Sequence, residues 1–143
     1  MSNKSFSSKT ALVTGGASGI GRASAVAFAK AGANVFFLDI DIDGMNAVVR
    51  EIASIGGKTV AHKTDVTKEH EVIEAIARCV ELFGAIDYAH NNAGIVISTT
   101  TVACTEDIWQ KVTDASAVGG AICVLGVKIA TLKTSPQAKI LAI

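Results

Sequence analysis

The sequence predicts an α/β domain built on a doubly wound parallel sheet, five strands in order 3-2-1-4-5, with the chain stopping in the fifth. Three observations predict it. Short apolar runs alternate with longer segments of helical period, giving β-α-β-α-β-α-β-α-β. The first run, Ala11-Leu12-Val13, enters a glycine turn, Thr14-Gly15-Gly16-Ala17-Ser18-Gly19-Ile20-Gly21, which opens directly into an alanine-rich segment. Polar residues, Asp39, Asp65 and Asn92, stand where the next three strands finish. Right-handed crossovers favour that strand order, and sheets of this kind bind ligands beyond the carboxyl ends of their strands.

Each element has a local reason. Thr10–Thr14 is a continuous apolar run, as a strand buried on both faces requires. Gly19–Ala31 carries Ala23, Val26, Ala27, Phe28 and Ala31 on an apolar face, with Gly32 placed to end it. Val35–Leu38 is the second buried strand. Gly44–Ile55 is the second helix, with Met45, Val48, Val49 and Ile52 at helical spacing and Gly56-Gly57 as its stop. Thr59–Lys63 is a short third strand. Thr67 is the expected N-cap of Lys68–Phe83, whose stripe is Val72, Ile73, Ile76, Val80 and Phe83. Ile86–Asn91 is the fourth strand, and a loop runs through Asn92–Gly94. A single long helix is expected from Thr105 to about Leu132. Ser135-Pro136 precedes a fifth strand, Lys139–Ile143. The whole, residues 1–143, reads as one dinucleotide-binding domain of the Rossmann type.

Composition narrows the function. The chain has 143 residues, half of them apolar, and a formal net charge of zero. A balanced charge argues against nucleic acid as a partner. The charge-free apolar stretch Ala115–Val127 is shorter than the roughly 20 residues a membrane span takes, so no membrane is implied. The N-terminal residues contain no apolar signal region. Three cysteines, Cys79, Cys104 and Cys123, form no CxxC pair and read as free thiols in a reducing compartment, the cytoplasm.

The glycine turn carries the most chemistry. Strand, tight turn and helix together aim backbone N–H groups and a positive helix end at an anion. Gly15, Gly19 and Gly21 therefore read as a pyrophosphate cradle. No Gly-Lys-Ser/Thr follows, so this is not a P-loop. Asp39 ends the second strand. A carboxylate there accepts from both ribose hydroxyls of an adenosine and repels a 2′-phosphate, which favours NAD over NADP. No basic residue follows in Ile40-Asp41-Ile42-Asp43. Asp39-x-Asp41-x-Asp43-Gly44 copies half of a calcium loop, but the position for the bidentate Glu holds Arg50 and a strand precedes it, so calcium is not expected. His62, His70 and His90 pair with no Cys or carboxylate at ligand spacing, so no metal is expected either. His90 reads as a strand histidine with a backbone partner, and Lys68-Glu69-His70-Glu71 as a solvated helix face.

Taken together, Thr14-Gly-x-x-x-Gly19-Ile20-Gly21, Asp39, Asp65-Val66, Asp87, Asn91-Asn92-Ala93-Gly94, and Trp109 followed by Val112 resemble the short-chain dehydrogenases/reductases. The likeness runs along nearly all of this chain and corresponds to about the first half of a usual member. It implies an oxidoreductase that moves hydride between NAD(H) and a small alcohol or carbonyl. It implies that Ser18, Gly19 and Ile20 line the cofactor phosphates, that Asp65 meets the adenine edge beside the Val66 backbone, and that Asn92, Ala93 and Gly94 run against the ribose. The family's relay Asn has its counterpart at Ser116, a shorter side chain. The family's catalytic Ser and Tyr-x-x-x-Lys have no counterpart in these residues. The only tyrosine, Tyr88, lies in the fourth strand with Asn92 four places on, and reads as a packing residue.

Two readings follow. One is a shortened NAD-dependent oxidoreductase. The other is a non-catalytic dinucleotide-binding module. A strand ending at a charged terminus predicts that this chain is a truncation of a longer ancestor and that the piece is marginally stable or self-associates. The helix Thr105–Leu132 carries apolar surface beyond the needs of one sheet face. Gly119, Gly120 and Gly126 would permit close approach of a second helix, so a homo-oligomer through it is expected.

Overall fold

The computed structural model describes residues 5–134 and 139–142. The chain runs β1 (Thr10–Thr14), α1 (Gly19–Lys30), β2 (Asn34–Asp39), α2 (Ile42–Ser54), β3 (Lys58–Lys63), α3 (Glu69–Phe83), β4 (Tyr88–Asn91), α4 (Glu106–Thr113), a π turn (Asp114–Val118), α5 (Gly119–Thr134) and β5 (Lys139–Ala142). All described strands pair in parallel in the order β3-β2-β1-β4-β5. The predicted Ser135-Pro136 loop and the last residue of the predicted fifth strand, Ile143, lie outside the described residues.

The two faces of the sheet follow from side-chain alternation along β1 and β2. Val13, Val35 and Phe37 pack under α1 and α2, against Ala25, Val26, Ala29, Met45, Val48 and Ile52. Leu12, Phe36 and Leu38 point the other way, to Val72, Ile76 and Cys79 of α3 and to Cys123 and Val127 of α5. Phe36 and Phe37 are both completely buried on opposite faces. Each such side chain contributes about 1.5–3 kcal/mol of burial, so neighbours in sequence fix both layers at once. Below the sheet, Asp87 accepts from Thr10 N–H at 2.9 Å and from Lys9 at 3.2 Å, while its carbonyl accepts from Lys139 N–H. One residue thus ties β1 to the segments leading into β4 and β5.

Several expected boundaries move. α2 begins at Ile42 rather than Gly44, because the Asp41 carboxylate accepts from Gly44 N–H at 3.1 Å and caps the helix. β4 begins at Tyr88 rather than Ile86. Thr67 is not the cap of α3. Lys68 holds that position, and the Thr67 hydroxyl instead donates to Asp65.

The single long helix is also corrected. It opens at Thr105 as expected, whose hydroxyl caps it by accepting from Ile108 N–H at 3.3 Å, but the π turn divides it. α4 buries no residue, whereas Gly119, Cys123 and Val127 of α5 are buried at four-residue spacing. The wider turn re-phases the helix so that this second stripe meets its neighbours. The neighbours are within the chain. A Cβ on Gly119 would lie 2.8 Å from Val66 Cγ2, and one on Gly126 would lie 2.5 Å from Ile76 Cδ1. Of the three glycines, only Gly120 faces open space.

Candidate dinucleotide groove

A groove of about 390 Å³ opens at the carboxyl ends of β1 to β4. Its walls include Gly15, Ser18, Gly19 and Ile20 from the glycine turn, Asp39 from β2, Asp65 and Val66 after β3, and Asn92, Ala93 and Gly94 after β4. Ten of the sequence-derived residues therefore surround one space. Gly21 does not line it.

Gly21 works from behind. It is buried in α1, and a Cβ there would overlap the Gly15 carbonyl oxygen and sit 2.6 Å from Asn92 Nδ2. Its bare Cα lets the helix close onto the turn. Gly15 has φ +68, a left-handed conformation that suits glycine, and its N–H and that of Gly16 both donate to Leu38 C=O, at 2.8 and 3.1 Å. The turn is thereby fixed to the end of β2.

Ser18 stands at the N-cap of α1 but its side chain makes no capping bond, and the first turn holds no acidic residue. The N-terminal N–H groups of a helix left uncapped in this way, together with the helix dipole, favour an anion. A Cβ on Gly19 would meet nothing within 4 Å. Space for a phosphate lies directly above that turn.

Asp39 is bound into the same assembly. One carboxylate oxygen accepts from Ala17 N–H of the glycine turn at 2.9 Å; the other accepts from Ile40 N–H at 2.8 Å and Asp41 N–H at 3.0 Å. The acid is held rigidly at the rim with lone pairs left over. Asp39 and Asp41 thus spend their carboxylates on backbone N–H groups of the turn and of α2.

Behind β1, the buried Thr14 hydroxyl accepts from both Asn92 N–H and Ala93 N–H at 2.9 Å, and Asn92 Nδ2 donates to Thr14 C=O at 3.2 Å and Gly15 C=O at 3.3 Å. The Asn92–Gly94 wall is pinned to the turn by these four bonds. Ser116 lies in the π turn, and a Cβ on Gly94 would fall 3.1 Å from its Oγ; its neighbour Ala115 lines the groove.

On the opposite wall, Asp65 Oδ1 accepts from Thr67 N–H at 3.0 Å and Thr67 Oγ1 at 2.7 Å. The Thr67 hydroxyl, aided by the Thr67 N–H and the Lys68 charge against a partial burial penalty, holds the Asp65 carboxyl below its usual range. Glu71 Oε2 accepts from Asp65 N–H at 2.8 Å and Oε1 pairs with Lys68 at 3.1 Å. That backbone bond first, then Lys68, lowers the Glu71 pKa. The Lys68–Glu71 segment is thus part of the wall's support, not merely a solvated face.

The sequence reading missed Thr64 and Ile40, which line the groove beside their named neighbours, and the bracing roles of Thr14 and Glu71. Thr14 could have been found, since its hydroxyl faces a strand end across the sheet. Glu71 had no local signal. Tyr88 stays out of the groove, edge-on to Phe6 at 4.9 Å between ring centres. His90 corrects its expectation: Nε2 is buried with no partner among the described residues, and burial lowers the ring's pKa.

A glycine turn, a rim carboxylate and a pinned Asn-Asn-Ala-Gly wall at the switch point of a 3-2-1-4-5 sheet define a Rossmann-type α/β domain. Residues 9–143 match the model of the short chain dehydrogenase family, and the chain belongs to that family. It is 39% identical over 116 residues to a cyclohexanol dehydrogenase from Acinetobacter sp. (strain SE19), covering 80% of this chain and 45% of that protein. It is 34% identical over 111 residues to a 3-oxoacyl-[acyl-carrier-protein] reductase from Thermotoga maritima, covering 78% and 45%. A short-chain type dehydrogenase/reductase from Mycobacterium marinum superposes with a TM-score of 0.91 at 31% identity, covering 94% of this chain and 55% of that one. The chain spans about half the length of the relatives it matches.

Proposed function

We propose that this chain binds NAD(H) as the cofactor half of an oxidoreductase acting on a small alcohol or carbonyl. The observation that carries the reading is the bond from Ala17 N–H to Asp39, which fixes a rim carboxylate against the phosphate-facing turn. Among the described residues the groove lining contains two carboxylates, Asp39 and Asp65, and no Lys or Arg. The nearest cation on α1, Arg22, is taken by Glu51 at 2.8 Å. A 2′-phosphate would meet like charge and no counter-charge, so NAD is favoured over NADP.

The residues fit the group. The Ser18–Ile20 turn would take the pyrophosphate, Asp39 the adenosine ribose, Asp65 and Val66 the base, and Asn92–Gly94 the nicotinamide-side ribose. The bound cofactor supplies hydride exchange at its nicotinamide ring, and the protein supplies position. Cyclohexanol in the name of one relative and an oxoacyl group in that of another fit an alcohol–carbonyl pair as substrate. Three free thiols, two of them buried, fit a reducing compartment, the cytoplasm. Among the described residues no helix is long and apolar enough to cross a membrane. The exposed Trp109, Val118 and Leu125 along α4, the π turn and α5 fit a homo-oligomeric face.

Titration with NADH and NADPH, followed by nicotinamide fluorescence, tests the cofactor. Tighter NADH binding is expected. Tighter NADPH binding would overturn the role of Asp39, and binding of neither would overturn the dinucleotide reading.

A further inference from the structure

The turn between β3 and α3 is a closed ring of polar contacts at the mouth of the groove. Asp65, Val66 and Thr67 line the groove, and the turn's outer side is made by Lys68 and Glu71. Thr67 uses up Asp65 Oδ1 through two hydrogen bonds. Oδ2 is left, with Lys68 Nζ at 3.8 Å, too far for a hydrogen bond. The ammonium lies nearer to Glu71 Oε1, at 3.1 Å. Glu71 Oε2 meanwhile holds the Asp65 N–H at 2.8 Å.

On its other side the turn packs closely on the start of α5. A Cβ on Gly119 would lie 3.0 Å from the Val66 carbonyl oxygen, so the helix start already abuts it. On the side away from α5, the Asp65 N–H bond to Glu71 holds the turn together with the Lys68 N–H bond to the Asp65 carbonyl, at 3.0 Å. Without that carboxylate, Lys68 would lose its nearer partner and Asp65 Oδ2 would become its remaining one. The oxygen that Thr67 leaves unbonded would then be taken.

We propose that Glu71 is a positioning residue of the nucleotide site: it holds the Asp65 backbone and draws Lys68 aside, which keeps Asp65 Oδ2 open to the exocyclic amino group of the adenine base. This rests on the dinucleotide reading. Glu71 touches no ligand itself. It acts through Asp65, and its effect is confined to the one hydrogen bond that an amino group can donate.

The test compares NADH with its hypoxanthine analogue, in which a carbonyl replaces that amino group. Both are titrated into the wild type, Glu71→Gln and Glu71→Ala, with circular dichroism to confirm each fold. The wild type is expected to prefer NADH about tenfold, the scale of one hydrogen bond to a charged acceptor. In Glu71→Ala the preference falls to about twofold or less while the affinity for the analogue holds. Glu71→Gln keeps a carbonyl for the Asp65 N–H and retains an intermediate preference. An alanine variant that weakens both ligands equally, or neither, overturns the proposal, as does a glutamine variant no better than alanine. A wild type that binds neither ligand overturns the dinucleotide reading instead, and the proposal with it.

Discussion

Replacing Thr14 by Val isolates the hydroxyl that joins the glycine turn to the β4 loop. Valine fills the same volume, so no cavity opens. What is lost is the acceptor for Asn92 N–H and Ala93 N–H, both at 2.9 Å. A buried N–H without a partner costs about 1–3 kcal/mol. Asn92 and Ala93 are only half-buried, so water can reach them in part and the lower end applies to each. The expected destabilisation is about 2 kcal/mol. Thr14→Ser keeps the hydroxyl and removes one methyl from a site 1% exposed, which costs about 1 kcal/mol. Urea unfolding monitored by circular dichroism should give midpoints in the order wild type, Ser, Val at constant slope. Because the pinned loop lines the groove, the Val variant should also bind NADH about tenfold more weakly, a loss of the order of one hydrogen bond, with the Ser variant near wild type. A Ser variant as unstable as the Val variant would show that packing, not the hydroxyl, holds this junction, and the bracing argument would fail.

Three further outcomes are expected. Gly21→Ala gains about 1 kcal/mol of helix propensity but drives a methyl into the Gly15 carbonyl; overpacking of about 1–3 kcal/mol should win, and a raised thermal midpoint would contradict this. Burial pushes the Cys79 thiol up to about 12 and the Cys123 thiol to about 11, while Cys104 is exposed. An aromatic disulfide reagent at pH 8 should therefore label one thiol quickly in the native protein and all three after unfolding, and a second fast thiol would refute the packing of α3 against α5. Leu125, 60% exposed on α5, should matter to association and not to folding. Leu125→Asp is expected to lower the mass seen in analytical ultracentrifugation without moving the thermal midpoint, and an unchanged mass would remove that face as the oligomer contact.

Much of the groove was legible because its parts are local. A glycine turn between strand and helix, or an acid at the last residue of a strand, is a short-range pattern with a chemical reason. The strand order was legible too, since crossover handedness leaves few choices. Other features were not. The period of apolar residues gave one helix from Thr105 to Leu132. It could not show that Gly119 and Gly126 must reach Val66 and Ile76, which is what the re-phasing π turn serves. Lys68 and Glu71 carry the charge pattern of any solvated helix start. Their partner is a backbone N–H of the preceding turn, and no spacing rule encodes that.

By itself, then, the sequence determined the strands, the turn chemistry and which residues gather at the open end of the sheet, because strand alternation and crossover direction are set by steric rules that act over a few residues. Only the tertiary structure decided which atoms remain for a ligand. Gly21 is withdrawn behind the turn, Asp39 is tied to Ala17, and Asp65 has one oxygen taken by Thr67. Hydrogen bonds between distant segments are assigned by three-dimensional competition for donors, and that competition exists only once the chain has packed.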